Sequence, residues 1–272
     1  MNEKDVVEST TGLPATVDSI AEDLRSLGVR PGMVLLAHSS LSSLGWVCGG
    51  AVAVILALEK ALEPEGTLVM PTFSGDLSDP AEWRHPPVPE SWWQLIRDTM
   101  PAFDPDLTPT RMMGIIPETF RKQRGTIRSN HPDLSMAARG PYAERITSNH
   151  QLEYGFGENS PLARIYKLDG WVLFLGTGYG TNTSMHLAEY RADHKGKKEL
   201  KLGSPVMVDG KREWVEYMNI EYREELLPEI GEDFERDMDV VIRGKVGQAD
   251  SRLFPQRAFV DYAVKWLEEH LD

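Results

Sequence analysis

The chain has 272 residues, enough for one large domain with a sizeable core, and its 41% hydrophobic and 26% charged residues argue against wholesale disorder. A net charge of −13, from 29 Lys and Arg against 42 Asp and Glu, speaks against general nucleic-acid binding and leans toward cationic ligands. No apolar run approaches the roughly 20 residues of a membrane helix, the amino terminus MNEKDVVESTTG shows no secretory signal, and the single Cys48 excludes an intrachain disulfide, which together fit a reducing cytoplasm.

In chain order, Val17, Ile20, Leu24 and Leu27 recur at helical spacing between Thr16, a plausible cap, and Gly28, a stop. Pro31-Gly32 then turns the chain into a short apolar strand over 33–37. Next come four serines between His38 and Gly45, and Gly49-Gly50 opens a helix from about 51 to 62. A second strand, 67–70, ends at Pro71-Thr72. Strand, loop, helix and strand in succession are the pattern of an α/β layer.

Across 76–109 the regularity fails. Prolines at 80, 86, 87, 89, 101, 105 and 109, with Trp83, Trp92 and Trp93, read as a long ordered excursion, and loops of this length in a compact domain tend to be functional. Pro117 suits the first position of a short helix, and Ser160-Pro161 opens another that ends near Tyr166. Farther on, 205–208 and 211–217 flank Asp209-Gly210, a strong hairpin signal. Residues 221–236 are acidic and helical in their later part. Phe259, Tyr262, Ala263, Trp266, Leu267 and His270 then share one stripe of a C-terminal docking helix. With no repeat or linker, a single domain over 1–272 is expected, the hairpin and acidic segment being appended to it.

The chemistry gathers in 171–191, WVLFLGTGYGTNTSMHLAEYR. An apolar run of strand length leads into Gly176, Gly178 and Gly180, and Thr181 to Ser184 are all good N-cap residues. The helix that follows carries His186 and Glu189, three residues apart and therefore on one face. A titratable base and a carboxylate are thus presented at the carboxyl end of a strand, where open α/β sheets place their ligands.

Other chemistries fit these residues less well. GTGYGT at 176–181 invites dinucleotide binding, but Thr181 stands where that fingerprint wants Gly or Ala, and no Walker lysine is present. The serines of 38–45 ahead of a helix make a better anion cradle, although an ordinary serine-rich turn accounts for them as well. Zinc would need His38, His131, His150 or His194 to join His186 without any characteristic spacing. Cys48, between Val47 and Gly49, reads as a small packed thiol. General base catalysis remains, because a neutral histidine paired with a carboxylate takes a proton from an amine or hydroxyl near pH 7.

Six segments together resemble the aminoglycoside 3-N-acetyltransferase family. They are HSSLSSLGWVCGGA from His38, MPTFS from Met70, TPTRMMGIIPETFR from Thr108, RSNHP from Arg128, GENSPL from Gly157 and NTSMHLAE from Asn182. They stand in the family's order, and the resemblance covers about residues 15–270. The resemblance implies an α/β fold distinct from the GNAT acetyltransferases, with helices layered on both faces of a central mixed sheet. It implies acetyl transfer from acetyl-CoA to the 3-amino group of a 2-deoxystreptamine aminoglycoside, hence antibiotic resistance, in the cytoplasm and without a metal.

Carried onto this sequence, the resemblance makes His186 the general base and Glu189 its orienting partner. Asn182, Thr183 and Ser184 would line the thioester end. CoA would be held by His38, Ser39, Ser40, Leu41, Ser42, Thr72 and the segment from Arg111, Met112, Met113, Gly114 and Ile115 to Pro117. Asp76 and Asp104 of the excursion, with Glu216 and Glu221 after the hairpin, would face the cationic sugar. Two other readings stay open: an acyltransferase acting on a different amine, and a non-catalytic binder of CoA or a small cation. A homodimer is one assembly the resemblance allows.

Overall fold

A computed structural model describes residues 3–271. Its strands, in chain order, are β1 (Val34–Ser39), β2 (Thr67–Pro71), β3 (Ile127–Arg128), β4 (Met136–Arg139), β5 (Trp171–Leu175), β6 (Glu199–Val208), β7 (Lys211–Ile220), β8 (Ile242–Val246) and β9 (Ala249–Pro255). Seven of them form one sheet in the order β3-β4-β2-β1-β5-β9-β8, while β6 and β7 pair separately. The central β2, β1 and β5 run parallel, and β4 and β9 flank them antiparallel. The sheet is therefore mixed, as the fold class expected.

Both faces of the central strands are covered, which is why VLLA and WVLFL are continuous apolar runs rather than alternating ones. Successive residues still divide between the faces. Leu35, Ala37, Leu68, Met70, Leu173 and Leu175 join the core that contains the helices Val17–Leu27, Gly50–Leu62 and Ile115–Arg121. Val34, Leu36, Val69, Val172 and Phe174 join the opposite core, with Pro161–Lys167, Ser184–Arg191, Leu227–Asp237 and Gln256–His270. The result is three layers. Each fully buried Leu, Val or Phe contributes about 1.5–3 kcal/mol of apolar transfer, and this burial fixes the strand ends on which the site is built.

Local signals hold at several boundaries. The Thr16 side chain accepts the Ser19 N–H in a capping box, and Gly28 ends that helix at φ 112°. Asp209 and Gly210 take φ 48° and 77°, the two positive values a tight hairpin turn demands. The hairpin is longer than expected, with ten-residue strands.

Elsewhere the structure corrects the reading. The excursion contains a helix, Glu90–Thr99, between its proline clusters, and none of its residues is buried. It is held instead by Arg97, paired with Asp79 at 2.7 Å, and by Arg212, whose Nε donates to the Met100 carbonyl at 3.0 Å. Pro117 is the third residue of its helix rather than the first. Cys48 is exposed, not packed. β3, β4, β8 and β9 went unforeseen. β3 has only two residues, and β8 reads Ile-Arg-Gly-Lys-Val with four of its five residues exposed. Among the described residues no helix is long and apolar enough to cross a membrane.

Candidate active site

β1 leaves toward β2 on one side, and the chain later returns to lay β5 on the other, so the carboxyl ends of β1 and β5 bound a switch point of the sheet. Two adjoining cavities lie there. One, of about 580 Å³, is lined by Ser39, Ser40, Leu41 and Ser42 on one wall and Met112 to Ile116 on the other. The second, of about 640 Å³, is lined by His38, Asp133, Phe156, Thr183, His186, Tyr222 and Glu224 among others. Ser39, Met112 and Met113 belong to both walls.

His186 reaches the second cavity because β5 delivers the chain into a tight bend. Gly176 adopts φ 70°, and a Cβ there would stand 2.4 Å from the Ser43 Cβ, so only glycine lets the bend pack against the serine loop. The helix Ser184–Arg191 then begins, with the Asn182 Oδ1 accepting the Ser184 N–H at 3.2 Å. His186 Nδ1 lies 2.7 Å from Glu189 Oε2, and Glu189 Oε1 accepts the Arg223 N–H at 2.6 Å. Glu189 is 2% exposed and does not line the cavity, so it serves the ring, not a ligand. A carboxylate only accepts, hence in the neutral ring it is Nδ1 that carries the hydrogen and Nε2 that has the lone pair.

Aromatic rings fix the imidazole in place. Phe156 stacks on it at 5.1 Å and 5°, and Tyr222 packs at 4.4 Å. The Tyr222 hydroxyl is hydrogen-bonded to Tyr190 at 2.9 Å and, with it, to Asn219 on β7. The segment just after the hairpin therefore supplies both a ring against His186 and the N–H that holds Glu189.

The electrostatics of the wall are acidic on one side. Burial, with the Glu224 charge adding to it, pushes the Asp133 carboxyl up to about 6. Burial, with the His186 charge adding to it, pushes the His38 imidazole down to about 3. An oriented base, a cavity with two carboxylates and an adjoining serine-lined cavity suit proton removal from a cation beside a second, anionic reactant.

Known proteins of similar sequence and fold place the chain in a family. The family described as aminoglycoside 3-N-acetyltransferase matches residues 36–268. The chain belongs to the aminoglycoside 3-N-acetyltransferase family. The SPbeta prophage-derived aminoglycoside N(3')-acetyltransferase-like protein YokD of Bacillus subtilis (strain 168) is 50% identical, with 97% of this chain and 96% of YokD covered. The crystal structure of YokD superposes at a TM-score of 0.95 over 98% of each chain, with 49% identity. Aminoglycoside N(3)-acetyltransferase VII of Streptomyces paromomycinus is 36% identical across 100% of this chain and 97% of its own. AAC-IIIb, solved as a binary complex with CoASH, superposes at 0.85 with 31% identity, covering 95% of this chain and 98% of that one.

Within this aminoglycoside 3-N-acetyltransferase family member the expected residues divide. Ser39, Ser40, Leu41, Ser42, Met112, Met113, Gly114 and Ile115 line the first cavity, and His38, Arg111, Pro117, Thr183 and His186 line the second. Thr72 lines neither: it is fully buried, and its hydroxyl donates to the Ser135 carbonyl at 3.0 Å. Asn182 and Ser184 are likewise fully buried beneath the cavity wall.

None of the four acidic substrate residues comes to either cavity lining. Asp76 pairs with Arg111 at 3.3 Å, Glu216 with Lys201 at 2.5 Å and Glu221 with Lys198 at 3.2 Å. Asp104 caps a turn by accepting the Asp106 and Leu107 N–H groups at 2.8 and 2.9 Å. The carboxylates in the second lining are Asp133 and Glu224. Asp133 directly follows the RSNHP segment and Phe156 directly precedes GENSPL, so both adjoin segments noted in the sequence without a role.

Proposed function

We propose that this chain transfers an acetyl group from acetyl-CoA to the 3-amino group of a 2-deoxystreptamine aminoglycoside, with His186 as general base. The observation that carries the reading is the Glu189-held imidazole in the wall of an acidic cavity that shares Ser39, Met112 and Met113 with a serine-lined one. The serine-lined cavity takes CoA: Ser39 to Ser42 offer hydroxyls to its polar groups, and Met112 and Ile115 lie along its apolar arm. The acidic cavity takes the cationic sugar against Asp133 and Glu224.

An alkylammonium has no lone pair, so a proton must leave before nitrogen attacks the thioester carbon. His186 Nε2 accepts it. Glu189 keeps the other ring nitrogen protonated and stabilises the imidazolium that forms. Phe156 and Tyr222 restrict the ring to the plane in which Nε2 meets the incoming amine.

The test is thiol release from acetyl-CoA with a panel of aminoglycosides and unrelated amines. Turnover restricted to 2-deoxystreptamine compounds is expected, and His186→Ala lowers kcat by about 10²–10⁴ while CoA binding persists. Release with unrelated amines only would replace the substrate class. Full activity in His186→Ala would move the base elsewhere.

A further inference from the structure

His38, the last residue but one of β1, is a buried ring with no hydrogen-bond partner among the described residues. It is 6% exposed and lines the cavity that holds His186. Its Nε2 is closed off and unpartnered, and within the described residues neither ring nitrogen takes part in a hydrogen bond, while the main-chain carbonyl accepts from the Thr177 hydroxyl at 3.4 Å. A neutral imidazole carries one N–H; with Nε2 sealed, the N–H that can meet a ligand is on Nδ1, which is not sealed and has no acceptor among the described residues. Such groups are rare in folded chains unless a ligand completes them. The next residue, Ser39, also has a buried hydroxyl without a partner, and it lies on the wall common to both cavities.

The place matters as much as the deficit. Reactants held in the two cavities meet at that shared wall, and there the acetyl carbon must lie within reach of an amine whose proton goes to His186. We propose that His38 donates its N–H to the thioester carbonyl oxygen and holds the negative charge that collects there during attack. This rests on the acetyltransferase reading above. The amine nitrogen bonds to the thioester carbon and the C=O pair moves onto oxygen. That pair then returns as the C–S bond breaks, and sulfur leaves with its electrons as a thiolate. The proton that His186 first takes from the ammonium passes to solvent; the second N–H proton, shed as the amide forms, goes through His186 to that thiolate. His38 gains and loses no proton.

Two features suit it to this work. Burial keeps the ring neutral at working pH, and the charge that develops on His186 disfavours its protonation further, so it remains a donor throughout. Its orientation is set beforehand: the ring meets Phe174 edge-on at 5.7 Å and 72°, and β1 is hydrogen-bonded on both sides in the middle of the sheet. A donor that need not reorganise as charge develops is the arrangement that lowers such barriers most.

The experiment is isotope-edited infrared spectroscopy of acetyl-CoA, carrying ¹³C at the thioester carbonyl, bound to the whole chain. The wild type and His186→Ala are expected to shift the carbonyl band to lower frequency than in free acetyl-CoA, and His38→Phe to abolish the shift. In thiol release His38→Phe should lose about 10²–10³ in kcat with CoA affinity retained, and His38→Gln, which keeps an N–H, should recover part of it. His38→Met is the second variant without a donor should the Phe protein not fold. A band indifferent to residue 38, or loss of CoA binding in step with activity, overturns the proposal. If no aminoglycoside supports turnover in the wild type while the residue-38-dependent shift persists, the functional reading fails and the donor role stands. Robust turnover with no such shift gives the reverse.

Discussion

At Glu189 both carboxylate oxygens are engaged, Oε2 by the His186 ring at 2.7 Å and Oε1 by the Arg223 N–H at 2.6 Å. Glu189→Gln keeps the shape but puts an amide N–H or a poorer acceptor toward Nδ1, so the ring loses its tautomer and the support for its cation. We expect thiol release to fall about 10²–10⁴-fold, the contribution of general base catalysis that a mis-set tautomer forfeits, with CoA binding by calorimetry unchanged. Asp133 permits a test by pH. Its folded pKa of about 6 lies above the ordinary 3.8, through burial first and Glu224 second. Its contribution to stability is therefore full below about pH 4 and lost as pH rises through about 6. Relative to Asp133→Asn, the wild type should lose stability over that window in urea titrations. Binding of a cationic aminoglycoside runs the other way, strengthening as the carboxylate forms, and the pH slope should flatten in Asp133→Asn. A parallel slope in both proteins would remove Asp133 from the site.

Among the elements, the bend after β5 is the most constrained. Gly176→Ala must hold a side chain at φ 70° with its Cβ 2.4 Å from Ser43 Cβ. The left-handed backbone and the overpacking together should cost about 2–4 kcal/mol, read as a lower urea midpoint at unchanged slope. CoA affinity should fall too, because Ser43 belongs to the serine loop. Arg128 does the corresponding tethering for the excursion: its Nη2 donates to the Thr72 carbonyl at 2.6 Å and its Nη1 to Thr108 at 2.5 Å, joining the segment to the sheet. The hairpin was legible because its turn chemistry is confined to Asp209-Gly210. The helix Glu90–Thr99 was not, since flanking prolines masked ten residues that bury nothing and are fixed by the distant Arg212.

For the whole molecule, a net charge of −13 attracts a polycationic antibiotic and opposes an anionic coenzyme. Raising ionic strength from about 50 to 500 mM shortens the Debye length from roughly 14 to 4 Å. The KM for aminoglycoside should rise several-fold while that for acetyl-CoA stays level or falls. Initial rates at varied salt, with viscosity held constant, measure both. Equal responses would mean that the acidic surface plays no part in steering.

The sequence by itself determined the proposed His186–Glu189 pair and the elements around it. His186 and Glu189 are three residues apart on a helix, and caps, glycine bends and β-turns act over a few residues, so local chemistry suffices. Only the tertiary structure decided which carboxylates line the cavity beside His186. Asp76, Glu216 and Glu221 are neutralised by nearby lysine or arginine, whereas Asp133 and Glu224 are brought together from β4's approach and the segment before Leu227–Asp237. Such meetings depend on strand order and long-range packing, which no short window of residues encodes. The same holds for His38, whose missing partner is visible only once every neighbour is in place.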